Sequence, residues 1–249
     1  MPVETIAKQS RRFVPTSISV VLFPAKTKAC GLLDSLAKQE PIGMERTQAV
    51  NENKYAKQIE DSFAKAVKWK KDGWRASNNY KQCRKFAASR KYSSADIYAF
   101  SLQLAKFQDE EFFHDWAGIF LSALINTSKD KEIRVCTSHL ESEISALGFL
   151  NHKDIVVEGN GGSHLGIFMW KGSIIVNSTS NCIGRYMRGG KITVNGDGGE
   201  VVGCDLKGGE IWVNGNIISL SDLIDGGNVF QRGRLIVKDG ERIGRLRNK

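Results

Sequence analysis

The chain has 249 residues, which is enough for one large domain or two small ones. Its apolar fraction of 41% is typical of a folded protein, and no apolar run approaches the roughly 18–20 residues of a membrane helix, so we expect no transmembrane segment. The five cysteines are scattered without CxxC spacing, which disfavours a disulfide framework or a zinc site and favours reduced thiols in a cytoplasmic protein.

The first 24 residues contain a weak export motif. Ser10–Phe13 is similar to a twin-arginine signal, and residues 17–23 after it are apolar. Pro15 and Pro24 bracket that run, and no small-residue cleavage site follows it. We therefore expect a first strand over residues 17–23 rather than an exported leader.

Helical patterns fill much of the region from residue 51 to residue 126. Apolar residues at helical spacing predict a first helix from Asn51 or Asn53 to about residue 69, interrupted at Gly73. Ser93 or Ser94 is a good N-cap for a further helix. Residues 112–124 are apolar around most of a helical circumference, which predicts a helix buried against the first coil of the structure that follows.

Residues 65–91 form a basic segment with ten positive side chains and one negative side chain, so its net charge of +9 equals that of the whole chain. Aromatic residues are interleaved with the charges. Such a segment can hold a nucleic-acid backbone, an acidic protein or an anionic membrane face. The alternative is a solvated helical face whose aromatic side chains lie in the core. The residues expected to contact an anionic partner are Lys68, Lys70, Lys71, Arg75, Lys81, Arg84, Lys85, Arg90 and Lys91.

A repeat of 18 to 19 residues dominates the C-terminal half. Its units begin with the apolar triplets Ile155–Val157, Ile174–Val176, Ile192–Val194 and Ile211–Val213. This spacing is too short for a βαβ crossover and too long for a hairpin, but it fits one turn of a β-solenoid. Ile133–Cys136 is predicted as a preceding strand, and residues 140–150 as a degenerate leading coil.

Glycine recurs at fixed places in each unit. Residues 151–249 hold 20 of the 25 glycines, a density that is tolerable where corners require positive φ or close backbone stacking. The alternatives are a flexible glycine-rich tail and a left-handed hexapeptide helix. The interleaved Ile and Val triplets argue against the tail, and steps of six from Ile174 fail the hexapeptide rule at Ser180 and Gly198. The predicted corners are Gly166, Gly172, Gly184, Gly189, Gly190, Gly203, Gly208 and Gly209.

Gly184–Gly196 reads G-x-x-M-x-G-G-x-I-x-V-x-G, and this pattern resembles the GXGXG repeat family. That family includes the C-terminal domain of the large chain of glutamate synthase and a similar domain of formylmethanofuran dehydrogenase. The resemblance covers about residues 154–216 and implies a right-handed parallel β-helix. It further implies a non-catalytic spacer within a redox or amidotransfer complex, with no cofactor carried by this chain.

The predicted fold class is therefore α+β. A helical N-terminal portion caps a short, right-handed, single-stranded parallel β-helix of about 18–19 residues per coil. We expect two domains, 1–130 with mainly helices and a leading strand, and 131–249 with the β-helix. Arg234–Val237 is predicted as the strand of an irregular last coil with a corner near Gly226 and Gly227, and the basic tail from Arg242 is expected to extend from it.

We expect a structural or assembly role, with a protein partner or self-association, and no catalytic residue, metal or cofactor. Nucleic-acid or acidic-partner binding through residues 65–91 is one alternative. The other is an enzyme with a pocket where helices meet coils, lined by His114, Glu111 or His139. Glu111 and Asp115 are expected on one helix face, and the thiol of Cys136 lies close in sequence to His139.

Overall fold

The computed structural model describes the backbone of residues 46–68 and 76–248 and the side chains of residues 55–68 and 77–248. The strand predicted over residues 17–23, the export motif and the predicted break at Gly73 lie outside these residues. The described residues cluster as one compact unit, and one hydrophobic core runs through their helices and sheet. The domain boundary at residues 130 and 131 stays a prediction.

Within the described residues, four helices and one short 3-10 helix precede the sheet. They are α1 (Arg46–Val67), α2 (Ala76–Ala87), α3 (Ser94–Gln103), the 3-10 helix Leu104–Phe107 and α4 (Phe113–Thr127). Helix α3 begins at a capping box in which Ser93 Oγ accepts from Asp96 N and the Asp96 carboxylate accepts from Ser93 N. The predicted cap at Ser93 is confirmed. Helix α1 begins earlier than predicted, because Arg46, Thr47 and Gln48 are polar and give no periodic apolar signal.

Helix α4 is the central element of the helical part. Eleven of its fifteen residues are buried, which confirms the prediction from its apolar circumference. The Phe63 ring of α1 packs edge-on against the rings of four other phenylalanines at centroid distances of 5.1–6.5 Å. Edge-to-face packing of this kind suits the aromatic quadrupole, so Phe63 ties α1 to α3 and α4.

The sheet has eight strands in sequence order, and the first six are parallel. They are β1 (Glu132–Cys136), β2 (Asp154–Asn160), β3 (Ser173–Ser178), β4 (Lys191–Val194), β5 (Glu210–Val213) and β6 (Asn228–Gln231). The register aligns Val135, Val157, Val176, Val194 and Val213 in one column, all buried. This is a β-solenoid of about five turns with a helical N-terminal portion, and the predicted fold class is confirmed.

The helical part closes the free edge of β1 with serine hydroxyls. Ser94 Oγ accepts from Arg134 N at 3.2 Å, and Ser101 Oγ accepts from Cys136 N at 2.9 Å. Ser94 and Ser101 lie two turns apart on α3, so they face alternate donors of the strand edge. The first coil therefore has these two edge donors satisfied, and we call the combination of α3 and α4 the helical cap.

Helix α4 closes the loop of the first coil between β1 and β2, residues 137–153, which we call the leading loop. Gly148 N and Phe149 N both donate to Ser122 Oγ, at 2.9 and 3.2 Å, and this hydroxyl donates to the carbonyl oxygen of Gly118. Ser145 N donates to the carbonyl oxygen of His114 at 3.0 Å. The predicted docking of this helix on the first coil is confirmed, and so is the strand over Ile133–Cys136.

The last coil differs from the prediction. Strand β6 pairs in parallel with β5, with Val229 opposite Ile211, so the period of 18 residues continues. Arg234–Lys238 forms β7, which runs antiparallel to β6 as the return strand of a hairpin, and Glu241–Arg242 forms β8. The prediction that Arg234–Val237 is the coil strand is wrong because Arg232 and Gly233 both have positive φ and make a tight turn.

The basic tail packs on the solenoid instead of extending from it. Gln231 stands where earlier coils have a buried valine and is itself 3% exposed. Its Oε1 accepts from Arg247 N at 2.9 Å. The side chain of Asn248 accepts from Ile217 N and donates to the carbonyl oxygen of Ile217. Residues 232–248 therefore close the C-terminal end of the solenoid, and we call them the arginine end.

Candidate functional site

The outer face of the parallel sheet carries a line of side chains from successive coils. In register they are Val156, Ile175, Thr193, Trp212 and Phe230, and we call them the outward column. They are half-buried except Ile175, which is exposed. Four of the five are apolar or aromatic, even though they lie on the opposite face of their strands from the buried core side chains. This makes the outward column an apolar strip on a face that points away from the core.

The aromatic end of the outward column is held in a defined geometry. The Trp212 and Phe230 rings stack with centroids 3.8 Å apart and planes inclined by 11°. Lys191 Nζ lies 4.3 Å from the centroid of the Trp212 ring, and Trp212 Nε1 donates to the Glu210 carboxylate at 2.9 Å. Stacking, a cation–π contact and a hydrogen bond together hold the indole in one orientation.

Sequence reasoning missed this column. In the sequence, each apolar triplet such as Ile174–Val176 is taken as one strand signal. The middle residues, such as Ile175, were counted as part of the same apolar signal. In a strand, alternate residues point to opposite faces, so the middle residue of each triplet had to face outwards. Assigning alternate residues of each triplet to opposite faces of the sheet identifies the outward column from the sequence.

The predicted corner glycines lie in the turns of the coils. Six of the eight, namely Gly166, Gly172, Gly184, Gly190, Gly203 and Gly209, have positive φ. Gly189 and Gly208 do not, but a Cβ atom on them would lie 2.6 Å from Trp170 O and 2.8 Å from Arg188 O of the neighbouring coil. Their role is thus close backbone stacking, since successive coils leave no room for a side chain there.

The basic segment is only partly described, because Lys70, Lys71 and Arg75 lie outside the described residues. Lys68 follows α1 and is exposed. Lys81, Arg84 and Lys85 share the exposed face of α2, and Arg90 and Lys91 follow this helix. Tyr80 of α2 is buried, 7% exposed, and its hydroxyl accepts from the Asn126 amide at 2.9 Å. Tyr80 is therefore a core residue, whereas binding by the cations stays a prediction.

The acidic and histidine residues near α4 do not form the predicted cluster. Helix α4 begins at Phe113, so Glu111 lies in the preceding turn and does not share a helix face with Asp115, contrary to the prediction. Burial raises the pKa of Asp115, and the neighbouring His114 opposes this shift. His114 itself is exposed, with Nδ1 2.9 Å from the carbonyl oxygen of Glu143. The imidazole is thus used to contact the leading loop.

Cys136 and His139 do come together. The Cys136 sulfur lies 3.7 Å from His139 Nδ1 and 3.3 Å from Ser138 Oγ. Within the described part of the chain, His139 Nε2 is buried without a hydrogen-bond partner, so no group there orients the imidazole as a catalytic base requires. Cys136 is 6% exposed. The pair is a buried thiol–imidazole contact under the helical cap.

A cavity of about 190 Å³ lies beside this pair, in the leading loop. This volume is below the roughly 300 Å³ at which ligand pockets usually begin. Its lining does not include His114, Glu111 or His139, the residues predicted for an enzyme pocket. The lining residues are Thr137, Leu140, Glu141, Ser142, Glu143, Ile144, Asn160, Gly162 and Ser180.

Two thiols lie on the turn side of the coils. Burial raises the pKa of Cys182, and the guanidinium of Arg185 opposes this shift. The pKa of Cys204 is raised by burial and by its bond to the Asp205 carboxylate, whose Oδ2 is 3.3 Å from the sulfur. Both sulfurs are therefore protonated near neutral pH and are poor nucleophiles. Cys83 and Cys136 are likewise free thiols.

Comparison with known proteins gives no match to this chain, whether with protein-family models, curated proteins or solved structures. Among the residues that the structure describes, no helix is both long and apolar enough to cross a bilayer. The same residues contain no group of three or more His, Cys, Asp or Glu side chains placed to hold a metal ion.

Proposed function

We propose that this protein is a non-catalytic assembly module that holds a helix of a partner protein against the outward column. The observation that carries the proposal is the alignment of four apolar or aromatic residues and Thr193 across five successive coils on the outer face of the sheet. Apolar side chains aligned on an outer face give the apolar stripe of an amphipathic helix a surface against which to pack.

The dimensions of this surface favour a helix. Coils stack about 4.8 Å apart, so the outward column is about 19 Å long, and a four-residue strand is about 13 Å across. An amphipathic helix is about 10–12 Å wide and covers 19 Å with about 13 residues. Its apolar stripe would lie along the column, and its polar flanks would meet Lys191, Glu210 and the exposed Asn177, Asn195 and Asn214.

A second copy of the chain fits the same surface less well. The area of the outward face is about 250 Å² from these dimensions. A stable interface between two folded proteins usually covers about 800 Å² on each partner. The outward column is thus large enough for a docked segment but provides less than half of what a dimer through this face requires.

Stiffness supports a positioning role. Each coil is bonded to the next by main-chain hydrogen bonds, for example from Asn195 N to Val176 O and from Asn214 N to Val194 O, both 2.9 Å. The resemblance of the repeat to GXGXG domains supports the same role and extends the proposal to a component of a redox or amidotransfer complex. The scattered reduced thiols support a cytoplasmic location.

An anionic partner of the basic segment is the second candidate. The observation that favours it is the placement of Lys81, Arg84 and Lys85 on one exposed face of α2. Reversing these three charges to Glu should abolish binding of a nucleic acid or acidic protein captured at low salt. Retained binding in that variant would exclude α2 as the contact.

The test of the main proposal uses a photo-cross-linking amino acid at position 175 in cells of the natural host. We expect a cross-link to an amphipathic helical segment of another protein. A synthetic peptide of that segment should bind the purified full chain and gain helicity on binding. Trp212→Gln should weaken peptide binding about tenfold, because a central aromatic anchor is lost.

The matched control places the same cross-linker at Leu223, which is 62% exposed and lies outside the outward column. Cross-linking of the same segment from position 223 would contradict the proposal, as would cross-links from position 175 to a second copy alone. Unchanged peptide affinity in the Trp212→Gln protein would also contradict it. A thermal melt of each variant shows whether its fold is retained.

A further inference from the structure

The arginine end concentrates positive charge at one end of the solenoid. Residues 232–247 carry six positive and two negative side chains. The five arginines come from the turn after β6, from β7, from β8 and from the tail, and all five are exposed. They are Arg232, Arg234, Arg242, Arg245 and Arg247.

Two adjoining cavities are built from these arginines. The larger is an open groove of about 710 Å³, lined by Arg234, Arg242, Ile243, Gly244, Arg245, Leu246 and Arg247. The smaller has a volume of about 220 Å³ and is lined by Gln231, Arg232, Arg234, Ile236, Arg245 and Arg247. Arg234, Arg245 and Arg247 line both cavities. Neither lining includes an aspartate or a glutamate.

The arginines are held in place by the packing of the backbone that carries them. Ile243 N and Gly244 N both donate to the carbonyl oxygen of Ile236 at 3.0 Å. Arg247 N donates to the buried Gln231, and Asn248 is bonded to Ile217. The arginines are therefore carried by a hairpin and a tail that are already anchored. A ligand does not have to order this main chain when it binds.

The positive charges are not neutralised within the described part of the chain. The ion pairs found there join Lys106 to Glu60, Arg134 to Glu158, Lys191 to Glu210 and Lys207 to Asp225, and none includes an arginine of the two cavities. A guanidinium stays charged at any physiological pH. Like charges held close together repel one another, so an anion between them is stabilised.

We infer that the arginine end binds a phosphate-bearing ligand, with phosphoryl oxygens held between Arg234, Arg245 and Arg247. A tetrahedral phosphate presents oxygens in several directions and can accept from three guanidinium forks at once, whereas a carboxylate matches one fork. The groove extends past Arg242 and leaves room for further phosphates. The ligand is therefore a polyphosphate or the phosphodiester backbone of a single-stranded nucleic acid.

The test measures calorimetric binding of tripolyphosphate and of a ten-residue oligothymidylate to the full chain at low salt. We expect saturable binding of tripolyphosphate. Arg245→Gln should weaken it about tenfold or more, because charge-assisted hydrogen bonds are lost. For the oligonucleotide, the logarithm of affinity should fall with the logarithm of salt concentration with a slope of about −2, since three phosphates would be neutralised.

Arg188→Gln is the matched control, because it removes the same charge from an exposed corner of the solenoid that carries neither cavity. Binding of tripolyphosphate alone assigns the site to a small polyphosphate, and binding of both probes assigns it to a nucleic-acid backbone. No binding of either probe at millimolar concentration overturns the inference. Equal weakening by Arg188→Gln and Arg245→Gln also overturns it, because the attraction would then be general.

Discussion

The two ends of the solenoid are closed by different chemistry. At the N-terminal end, buried hydroxyls of Ser101 and Ser122 satisfy main-chain donors of the first coil inside the helical core. At the C-terminal end, a hairpin and a tail close the last coil, and their exposed side chains are mainly arginines. The first closure buries its polar groups, whereas the second leaves a charged surface exposed.

The comparison predicts that the helical cap tolerates change less than the arginine end. A Cβ atom at Gly118 would overlap the carbonyl oxygen of Ser145, so Gly118→Ala must push α4 away from the first coil. We expect a loss of about 3 kcal/mol in the free energy of unfolding, measured by urea denaturation.

Gly233→Ala is the matched change at the other end. Its Cβ would meet nothing within 4 Å, and only its φ of 75° opposes a side chain. We expect this strain to lower the free energy of unfolding by about 1 kcal/mol. A larger loss for Gly233→Ala than for Gly118→Ala would reverse the comparison.

Ser122→Ala tests the hydroxyl that accepts from Gly148 N and Phe149 N. Gly148 N then loses its acceptor, and Phe149 N keeps only its 3.3 Å bond to the carbonyl oxygen of Ala146, so we expect a loss of about 2 kcal/mol. Ser62→Ala is the control, because Ser62 Oγ donates to the Gln58 carbonyl within α1. If both serine variants melt at the same temperature, the helical cap is not closed in this way.

Gln231→Leu tests the anchor of the tail. The side-chain volume is kept, but the acceptor of Arg247 N is removed. Because the tail is exposed and can rehydrate, we expect only about 1 kcal/mol of lost stability. The affinity for tripolyphosphate should fall far more than the free energy of unfolding does, because Arg245 and Arg247 lose their fixed positions. If Gln231→Leu binds tripolyphosphate fully although its Arg247 amide exchanges hydrogen freely, the binding site does not depend on this anchor.

The smallest effect is expected at His164, beside the helical cap. Burial lowers the pKa of His164, and the charges of Arg185 and His114 lower it further. The unfolded chain therefore takes up the proton more readily, and stability falls as pH drops below about 6.5 towards the folded pKa. His164→Asn, which tolerates the φ of 55° at this position, should show a shallower loss between pH 7 and pH 5. If His164→Asn loses stability between pH 7 and pH 5 as steeply as the original protein, His164 is not the source of this loss.

The solenoid could be predicted because its signal is periodic. Ile174, Ile192 and Ile211 repeat at a spacing that only a coil of this size satisfies. The last coil was not predicted because Gln231 replaces the valine that ends the earlier triplets, so the next apolar run is taken as the strand. The role of Gln231 depends on contacts with residues 16 or more positions away, which local patterns do not encode.

The candidate surfaces were harder to predict for a similar reason. The charge of the tail was visible, but its anchoring by Gln231 and Asn248 depends on tertiary packing. Ser101 and Ser122 gave no signal, because a serine within an apolar helix reads as a neutral position. Only the structure shows that their hydroxyls meet the edge of the first coil.

Residue-resolved hydrogen exchange tests the central claim, the closure of both solenoid ends, most directly. The account predicts that the amides of Arg134 and Cys136, which donate to serines of α3, exchange as slowly as the interior amide of Asn195. The amide of Arg247, which donates to Gln231, should be protected but less so. Exchange of Arg134 and Cys136 at the rate of an open strand edge would contradict the account.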